Sequence, residues 1–387
     1  MLSFSQPWRR NPLKSIVSFS KGSGISKGDL SEQGRNCILY GQLYTDYSNV
    51  TQVNQTTLKT SLNQSDLVIS LAGQVLIPAS GETHEDISNS VVINVSGVLI
   101  GGDINILTPK QEILGSFLAC CFRGVRKKQI ASLAQGDSVV HLNSNNLNKL
   151  IIDYPSIDEQ ARITTFIRLL EARIEVQNKI INNLLSLKKT INNVLFEAYS
   201  PSIIFKECYL KAKEGGTPDT NNKLFYEHGT IPFAKIDDLS GKYIASTKSY
   251  ISEKGLVKSS AWLIPAQSVL LSNGATIGEC SITQCVLCTK QGIVGIIPSE
   301  IITSDFMYYF FKTNKFRKLI VRITTRGTME TAYIKDIEKI RIPLPKKDEQ
   351  IRHAKIMNSF EHKIDNEKRI LEHLLTQKKF FLNNLFI

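Results

Sequence analysis

Residues 155–171 read PSIDEQARITTFIRLLE, and residues 345–361 read PKKDEQIRHAKIMNSFE. The likeness continues without a gap when residues 147–196 are laid over residues 337–386 at a constant offset of 190. The identical pairs include Lys149/Lys339, Pro155/Pro345, Asp158/Asp348, Glu159/Glu349, Gln160/Gln350, Arg162/Arg352, Glu171/Glu361, Ile174/Ile364, Leu184/Leu374, Leu185/Leu375, Lys188/Lys378, Lys189/Lys379, Asn193/Asn383, Leu195/Leu385 and Phe196/Phe386. A repeat of this length fixes the architecture, because it divides the chain into two variable blocks that are each followed by the same segment.

The repeated segment predicts a long helix with a marked start. In the first copy, Ser156 and Glu159 have the spacing of a capping box. The second copy has Lys346 in place of the serine, so Asp348 is its expected cap.

Apolar residues then recur in alternating steps of four and three, which is the seam of a coiled coil. The seam positions are Ile163, Ile167, Leu170, Ile174, Gln177, Ile181, Leu184, Lys188, Ile191 and Leu195 in the first copy, and His353, Met357, Phe360, Ile364, Glu367, Leu371, Leu374, Lys378, Phe381 and Leu385 in the second. Two polar interruptions match between the copies, and polar seam residues fix the register of a helix pair. We therefore expect the helices to pair with each other in antiparallel orientation, the alternative being an ordinary helical hairpin in one core. About 38 helical residues at 1.5 Å each give a rod of roughly 55 to 60 Å.

The two variable blocks have the composition of β-rich domains. Their Val-, Ile- and Leu-rich segments are bounded by turn residues and lie at Asn36 to Leu43, Asp66 to Ile77, Ser90 to Ile100, Ser268 to Leu271, Cys280 to Cys288 and Gly292 to Pro298. Each block ends in a basic helical patch, Leu114 to Lys128 or Ser304 to Ile323, followed by a glycine turn at Gln135-Gly136 or Arg326-Gly327.

The predicted fold class is therefore α+β, with two β-rich domains separated and followed by two long helices that form an antiparallel coiled coil with a pseudo-two-fold repeat. The expected boundaries are 1–150 for the first β-rich domain, 151–200 for the central helix, 201–341 for the second domain and 342–387 for the C-terminal helix.

Charge is the first functional clue, since 47 Lys and Arg against 35 Asp and Glu leave a net charge of +12. Such a surplus favours polyanionic partners, with nucleic acid first and a membrane surface second. No stretch reaches the roughly 18 consecutive apolar residues that a membrane span needs. The start has no apolar segment typical of a secretory signal, so the cytoplasm and reduced cysteines are expected.

Signatures of catalysis are missing from the sequence. There is no phosphate-binding glycine loop, no Asn/Asp-Pro-Pro-aromatic motif of an amino-methyltransferase, and no Asp/Glu-x-Lys soon after Pro218-Asp219 as in common nucleases. Cys280, Cys285 and Cys288 raise the alternative of a zinc site, but no fourth ligand is near in sequence, and buried apolar cysteines are preferred. We predict neither a catalytic residue nor a metal site.

The arrangement resembles the DNA specificity subunit of type I restriction-modification systems over essentially the whole chain. Its strongest motifs are Pro155 with Asp158-Glu159-Gln160 and Pro345 with Asp348-Glu349-Gln350. The first block adds Gly22-Ser-Gly24-Ile-Ser-Lys27 and Cys37-Ile-Leu-Tyr40-Gly-Gln-Leu43-Tyr-Thr45. The second block adds Gly215-Gly-Thr-Pro218, Ile231-Pro-Phe-Ala-Lys235-Ile-Asp-Asp-Leu239, Asn273-Gly-Ala-Thr276-Ile-Gly278 and Lys290-Gln-Gly-Ile-Val.

The resemblance implies a non-catalytic subunit that reads double-stranded DNA. Two partner methyltransferase subunits would bind S-adenosylmethionine and modify adenine, while restriction/translocase subunits would use ATP and Mg; the chain itself would hold no cofactor. Each β-rich domain would read one half-site, and the helices would set the gap and dock the methyltransferases. A rod near 55 Å spans about one and a half DNA turns, since one turn measures roughly 34 to 36 Å.

Candidate DNA contacts are basic and small polar residues in loops, which suit phosphates and base edges. In the first domain they are Lys21, Ser23, Ser26, Lys27, Tyr40, Gln42, Arg123, Lys127 and Lys128, and in the second they are Lys211, Thr217, Lys235, Asn273, Thr276, Arg326, Thr328 and Tyr333. Candidate partner-docking residues on the helices are Ile180, Leu185, Leu187, Ile370 and Leu375. The alternative function is a coiled-coil architectural scaffold that binds DNA without sequence preference.

Overall fold

The computed structural model describes residues 7–63, 67–137, 139–274, 276–325 and 330–386. The chain forms two compact units, of which unit 1 comprises residues 1–179 and 368–387, and unit 2 comprises residues 180–367. Each of the two long helices contributes residues to both units.

Unit 1 contains a β-rich domain and parts of both long helices. Its strands are β1 (Arg9–Pro12), β2 (Val17–Lys21), β3 (Leu30–Ile38), β4 (Gln52–Val53), β5 (Leu58–Thr60), β6 (Gln74–Pro78), β7 (Ser80–Gly81), β8 (Val91–Ile93), β9 (Leu99–Ile100), β10 (Ile104–Pro109), β11 (Val140–His141) and β12 (Ile151–Tyr154). Its helices are α1 (Leu13–Ile16), α2 (Tyr40–Tyr44), α3 (Gly115–Arg123), α4 (Lys127–Leu133), α5 (Ser144–Leu147) and the first part of α6 (Ile157–Ala198).

Unit 2 likewise contains a β-rich domain and parts of both long helices. Its strands are β13 (Ser202–Ile204), β14 (Tyr209–Glu214), β15 (Ile231–Ala234), β16 (Tyr243–Ile244), β17 (Tyr250–Ile251), β18 (Val269–Ser272), β19 (Cys280–Thr283), β20 (Cys288–Thr289), β21 (Ile293–Pro298) and β22 (Arg341–Pro343). Its helices are α7 (Glu253–Val257), α8 (Ser304–Phe311), α9 (Asn314–Ile323), α10 (Ile334–Ile337) and the first part of α11 (Lys347–Asn384).

The two β-rich domains share one topology. A five-stranded sheet has the order β2-β10-β6-β8-β4 in unit 1 and β14-β21-β18-β19-β16 in unit 2. A three-stranded sheet has the order β5-β3-β9 in unit 1 and β17-β15-β20 in unit 2. The parallel pairs also correspond, since β4 with β8 and β3 with β9 match β16 with β19 and β15 with β20. The predicted internal repeat is therefore confirmed.

Each five-stranded sheet buries both of its faces. In unit 1, Val75 and Ile77 belong to the same buried cluster as Phe117 of α3 and Ile163 of α6. Leu76, which points to the opposite face, belongs to a second cluster with residues of β3. The long helix and the second sheet therefore cover opposite faces of the first sheet.

The predicted coiled-coil seam is present within each unit. In unit 1, Leu170, Ile174 and Leu374 form a buried cluster, and the ring of Phe166 packs edge-on against Phe381 at a centroid distance of 4.8 Å. Residues that come later in α6 thus meet residues that come earlier in α11, so the pair is antiparallel. The predicted α+β fold with an antiparallel helix pair is confirmed.

Local details differ from the sequence-based expectations. The strand predicted at Asn36 to Leu43 ends at Ile38, and Tyr40–Tyr44 is helical. The strand predicted at Cys280 to Cys288 is two strands, and each basic helical patch is two helices.

The start of α11 also differs from the prediction. Asp348 was expected to cap this helix, but the helix already begins at Lys347. The amide of Lys346 donates to the carboxylate of Glu349 at 3.1 Å, so a side chain one turn later satisfies the start of the helix.

Candidate nucleic-acid interface

Two predicted contact segments of unit 1 lie together at one edge of the domain. Segment 22–27 follows β2, and segment 39–42 follows β3. The amide of Ser23 donates to the carbonyl of Ile100 at 3.1 Å. The amide of Gly101 donates to the carbonyl of Ile38 at 2.9 Å. Both segments are therefore held by the same two residues at the end of β9.

Unit 2 builds the same edge from segments 215–220 and 235–238. The amide of Gly216 donates to the carbonyl of Thr289 at 3.0 Å. The amide of Lys290 donates to the carbonyl of Ala234, also at 3.0 Å. We call the two constructions edge 1 (residues 22–27 and 39–42) and edge 2 (residues 215–220 and 235–238). Edge 1 and edge 2 have the same hydrogen bonds and different side chains.

Both edges depend on a glycine at the start of the first segment. A Cβ atom on Gly22 would lie 2.0 Å from the carbonyl oxygen of Gly101, and one on Gly215 would lie 2.1 Å from that of Thr289. These oxygens belong to the backbone and cannot rotate away. Glycine is required there because the two backbone segments pass in direct contact.

The second segment of each edge is closed by a side-chain cap. The amide of Leu39 donates to Oε1 of Gln42 at 3.3 Å, and the amide of Lys235 donates to Oδ2 of Asp238 at 2.8 Å. Gln42 is only 6 % exposed, and its Nε2 donates to Asp46 at 2.9 Å. Gln42 therefore holds its own turn, which argues against its selection as a candidate DNA contact.

Arg123 is a second candidate that has an internal role. Its guanidinium donates to the carbonyls of Tyr47 (2.7 Å), Ser48 and Ser90. Burial lowers the pKa of Arg123 to about 10, so the side chain remains charged at neutral pH. We assign Arg123 to bracing the domain, since its donors are used by backbone carbonyls.

Asn273 is a third such residue, with 1 % of its surface exposed. Its Nδ2 donates to the carbonyl of Ala332 at 3.3 Å, and the amide of Ala332 donates back to the carbonyl of Asn273 at 2.9 Å. This pair of bonds joins the end of β18 to the segment that precedes α10. Its burial argues against the selection of Asn273 as a candidate DNA contact.

The other described candidates are accessible. Lys21, Ser26, Lys27, Lys128, Lys211, Thr217, Lys235, Thr276 and Tyr333 are exposed, and Ser23, Tyr40 and Lys127 are half-buried. Edge 1 gathers Ser23, Ser26, Lys27 and Tyr40 beside Lys21, and edge 2 contains Thr217 and Lys235. Lys127 and Lys128 are the first two residues of α4 and belong to neither edge. Arg326 and Thr328 lie outside the described residues.

Comparison with known proteins identifies the family. A sequence profile described as the type I restriction modification DNA specificity domain matches residues 6–186 and 209–376. The chain belongs to this family. The two matches correspond to the two copies of the repeat, which explains why the specificity fold occurs twice.

Individual relatives match over shorter stretches. The MjaIX specificity subunit of Methanocaldococcus jannaschii is 30% identical over 177 residues, which cover 44% of this chain and 41% of that relative. The EcoR124I/EcoR124II specificity subunit of Escherichia coli is 27% identical over 151 residues, which cover 38% of this chain and 37% of that relative. The chain thus spans about two fifths of the length of these curated relatives.

Solved structures match over almost the whole chain and show the fold. The type I S subunit from M. genitalium has a TM-score of 0.57 at 16% identity, covering 100% of this chain and 98% of that one. The HsdS subunit from Thermoanaerobacter tengcongensis has a TM-score of 0.51 at 15% identity, covering 99% of this chain and 97% of that one.

The glutamine of the repeated Pro-x-x-Asp-Glu-Gln motif joins the long helix to the domain before it. Gln160 is fully buried, and its Oε1 accepts the amide of Leu114 at 2.8 Å, at the start of α3. Its Nε2 donates to the carbonyls of Glu112 and Pro155, each at 3.0 Å. The side chain thus satisfies a helix terminus and two carbonyls at once.

Gln350 makes the same three contacts in unit 2. Its Oε1 accepts the amide of Thr303 at 3.0 Å, and its Nε2 donates to Ile301 (2.9 Å) and Pro345 (3.0 Å). The repeat singles out this residue in the sequence but does not reveal its role, because two of its three partners lie nearly 50 residues away.

The helix residues predicted to dock partners are all solvent-accessible. Ile180, Leu185, Leu187, Ile370 and Leu375 are between 38% and 48% exposed. Leu375 lines a cleft of about 340 Å³ in unit 1, and Leu185 lines one of about 200 Å³ in unit 2. Because these leucines are equivalent in the repeat, each unit presents one corresponding cleft.

The described residues contain no cluster of three or more His, Cys, Asp or Glu side chains that could hold a metal ion. Cys280 and Cys288 are buried and Cys285 is half-buried, and none of the three forms a disulfide. Burial raises the pKa of Cys288 to about 11, as expected for an apolar thiol. Within the described part of the chain, no helix has the length and apolar character that crossing a membrane requires.

Proposed function

We propose that this chain is the non-catalytic DNA sequence-specificity subunit of a type I restriction-modification complex acting in the cytoplasm. Each β-rich domain reads one half-site of a bipartite target. The observation that carries the proposal is that edge 1 and edge 2 have the same backbone and different side chains. Tyr40 and Ile236 occupy equivalent positions, as do Lys27 and Thr220, so the two half-sites differ and the target is asymmetric.

The proposed DNA contacts are the exposed and half-buried candidates at the two edges and on the neighbouring elements. Lysines bind phosphates, and Ser, Thr and Tyr side chains add contacts to phosphates or base edges. Single substitutions at base contacts change the target, whereas substitutions at phosphate contacts weaken binding to all sequences.

The helices set the gap between the half-sites and dock two methyltransferase subunits. Support comes from the repeat, which gives each unit one cleft with an exposed leucine on its wall, Leu375 or Leu185. Two equivalent surfaces suit two copies of one partner. The partner methyltransferases supply S-adenosylmethionine, and restriction/translocase subunits supply the ATP- and Mg-dependent activity.

The experiment is a genome-wide map of adenine methylation in the host with and without this gene. We expect one split motif, consisting of two different short half-sites with a fixed gap, to lose its methylation when the gene is deleted. If no motif depends on the gene although an active methyltransferase partner is expressed, the specificity function is wrong. A scaffold without sequence preference, to which the net charge of +12 also points, would bind all duplexes alike with a steep salt dependence.

A further inference from the structure

Glu171 of α6 and Lys378 of α11 form a buried ion pair in the helix seam of unit 1. The carboxylate and the ammonium are 2.8 Å apart, and each side chain is only 9% exposed. Removing two charges from water is costly, and the mutual attraction offsets this cost only when further hydrogen bonds satisfy both groups. The partners of this pair therefore indicate what it does.

Those further bonds go to one short segment of the β-rich domain. Glu171 accepts from the amide of Thr51 at 2.9 Å and from its hydroxyl at 3.0 Å. Lys378 donates to the carbonyl of Asn49. Arg123 donates to the carbonyls of Tyr47 and Ser48. We call Glu171, Lys378 and Arg123 the clamp, because together they bind segment 47–51 at four of its five residues.

The clamped segment lies between edge 1 and the five-stranded sheet. It follows α2, the helix that starts in the second segment of edge 1, and it leads directly into β4. The carbonyl of Thr51 accepts the amide of Val92 at 2.9 Å, which joins the segment to β8. A shift of the segment on the helices would therefore move the edge and the sheet together.

We propose that the Glu171–Lys378 pair positions the first β-rich domain on the helix pair and thereby sets the gap between the two half-sites. The proposal rests on the proposed function. The two residues touch no DNA and act through the clamped segment. Their loss loosens the distance at which edge 1 is held, while the chemistry of the edge itself stays intact.

Unit 2 provides a matched control. Glu361 and Lys188 are the repeat equivalents of Glu171 and Lys378, and they also form an ion pair between α11 and α6. At the position equivalent to Thr51, however, unit 2 has Lys242, which is bonded to Asn358 of α11 and to Asp305 of α8. In unit 2 the hydrogen bonds and ion pair that hold Lys242 run to Asn358 and Asp305, whereas the described bond of Lys188 runs to Glu361 and not to this segment.

The experiment compares two double variants in the assembled complex, Glu171→Leu/Lys378→Met and the control Glu361→Leu/Lys188→Met. Replacing both charges avoids leaving a single buried charge without its partner. Binding is measured on duplexes that carry the mapped target with its natural gap and with gaps one base pair shorter and longer. A duplex with only the first half-site tests whether edge 1 is still formed.

We expect the clamp variant to lose at least about tenfold of its preference for the natural gap, an effect on the scale of one mismatched base pair. Its affinity for the single half-site and the gap preference of the control should stay within about twofold of the wild type, since neither loses a base contact. An unchanged gap preference in the clamp variant would overturn the proposal. So would loss of its affinity for the single half-site, or an equal fall of the gap preference in the control variant. If the wild type itself shows no fixed gap, the proposed function fails instead.

Discussion

The two units share a topology, yet their helix seams differ in chemistry at one equivalent site. Ile163 and Leu382 lie in the apolar core of unit 1, whereas the repeat places His353 and Asn192 at the same two positions in unit 2. The Glu–Lys ion pair, by contrast, occurs in both seams. The comparison teaches that a repeated helix can keep its register-setting charges while one unit replaces an apolar contact by a buried polar pair.

The hydrogen bonds of His353 define its protonation state. Asn192 donates through Nδ2 to the carbonyl of Tyr309, so its Oδ1 must accept from Nε2 of His353, 2.9 Å away. Nδ1 then accepts from the hydroxyl of Tyr199 at 3.3 Å. This arrangement needs a neutral imidazole, and burial accordingly lowers the pKa of His353 to about 4.

The largest expected loss of stability comes from removing the glutamine contacts that the two units share. Gln160→Ala and Gln350→Ala each remove, from a fully buried position, the partner of a half-buried helix-terminal amide and of two carbonyls, and each should cost roughly 3 to 5 kcal/mol of stability in its own unit. Urea unfolding followed by tryptophan fluorescence checks this, because Trp8 lies in unit 1 and Trp262 in unit 2. Trp262→Phe and Trp8→Phe backgrounds therefore report on one unit at a time.

The control is Asp158→Asn, a change at an exposed position of the same motif, which should cost less than about 0.5 kcal/mol. Unequal losses for the two glutamines, with one near the control value, would contradict the equivalence of the two motifs.

The next largest effect is a pH dependence of stability caused by His353, which unit 2 has and unit 1 lacks. Unfolded His353 takes up a proton near its ordinary pKa of 6.5 and folded His353 only near 4, so the unfolded state binds more protons between these values. The stability of unit 2 therefore falls as the pH drops from 6.5 towards 4, by about 2 kcal/mol at pH 5. In a Trp8→Phe background, His353→Ile/Asn192→Leu should remove this part of the pH dependence.

The variant places in unit 2 the residue pair found in unit 1. Its stability relative to the parent should rise by about 2 kcal/mol between pH 7.5 and pH 5. A constant difference across this range would mean that His353 titrates alike in the folded and unfolded states.

The repeat explains why so much of the architecture could be predicted from the sequence. Helix positions are set by local periodicity, and the offset of 190 residues transferred each inference from one copy to the other. The strand prediction failed at residues 40–43 because Gln42 closes a helical turn through its side chain, which composition alone does not indicate.

The individual site residues were harder to predict for a physical reason. Arg123 and Asn273 occur in polar or basic segments typical of surfaces, but their donors meet backbone carbonyls that are 33 to 76 residues distant in sequence. Whether a side chain is free for DNA depends on such long-range bonds. Ser26, Lys27 and Lys235 lie exposed at the edges, and their contacts with DNA stay predictions.

The smallest effect on stability tests whether the two exposed leucines serve the same purpose. Leu185→Glu and Leu375→Glu replace accessible side chains, so each should change the free energy of unfolding by less than about 0.5 kcal/mol.

In the assembled complex, each single variant should lose one of two methyltransferase copies and the double variant both, because a buried unpaired carboxylate opposes docking. Native mass spectrometry measures the stoichiometry directly. Val257→Glu, at an exposed apolar position of α7 outside the long helices, is the control and should keep two copies. Two copies in both single variants would show that the repeated clefts do not dock the partner.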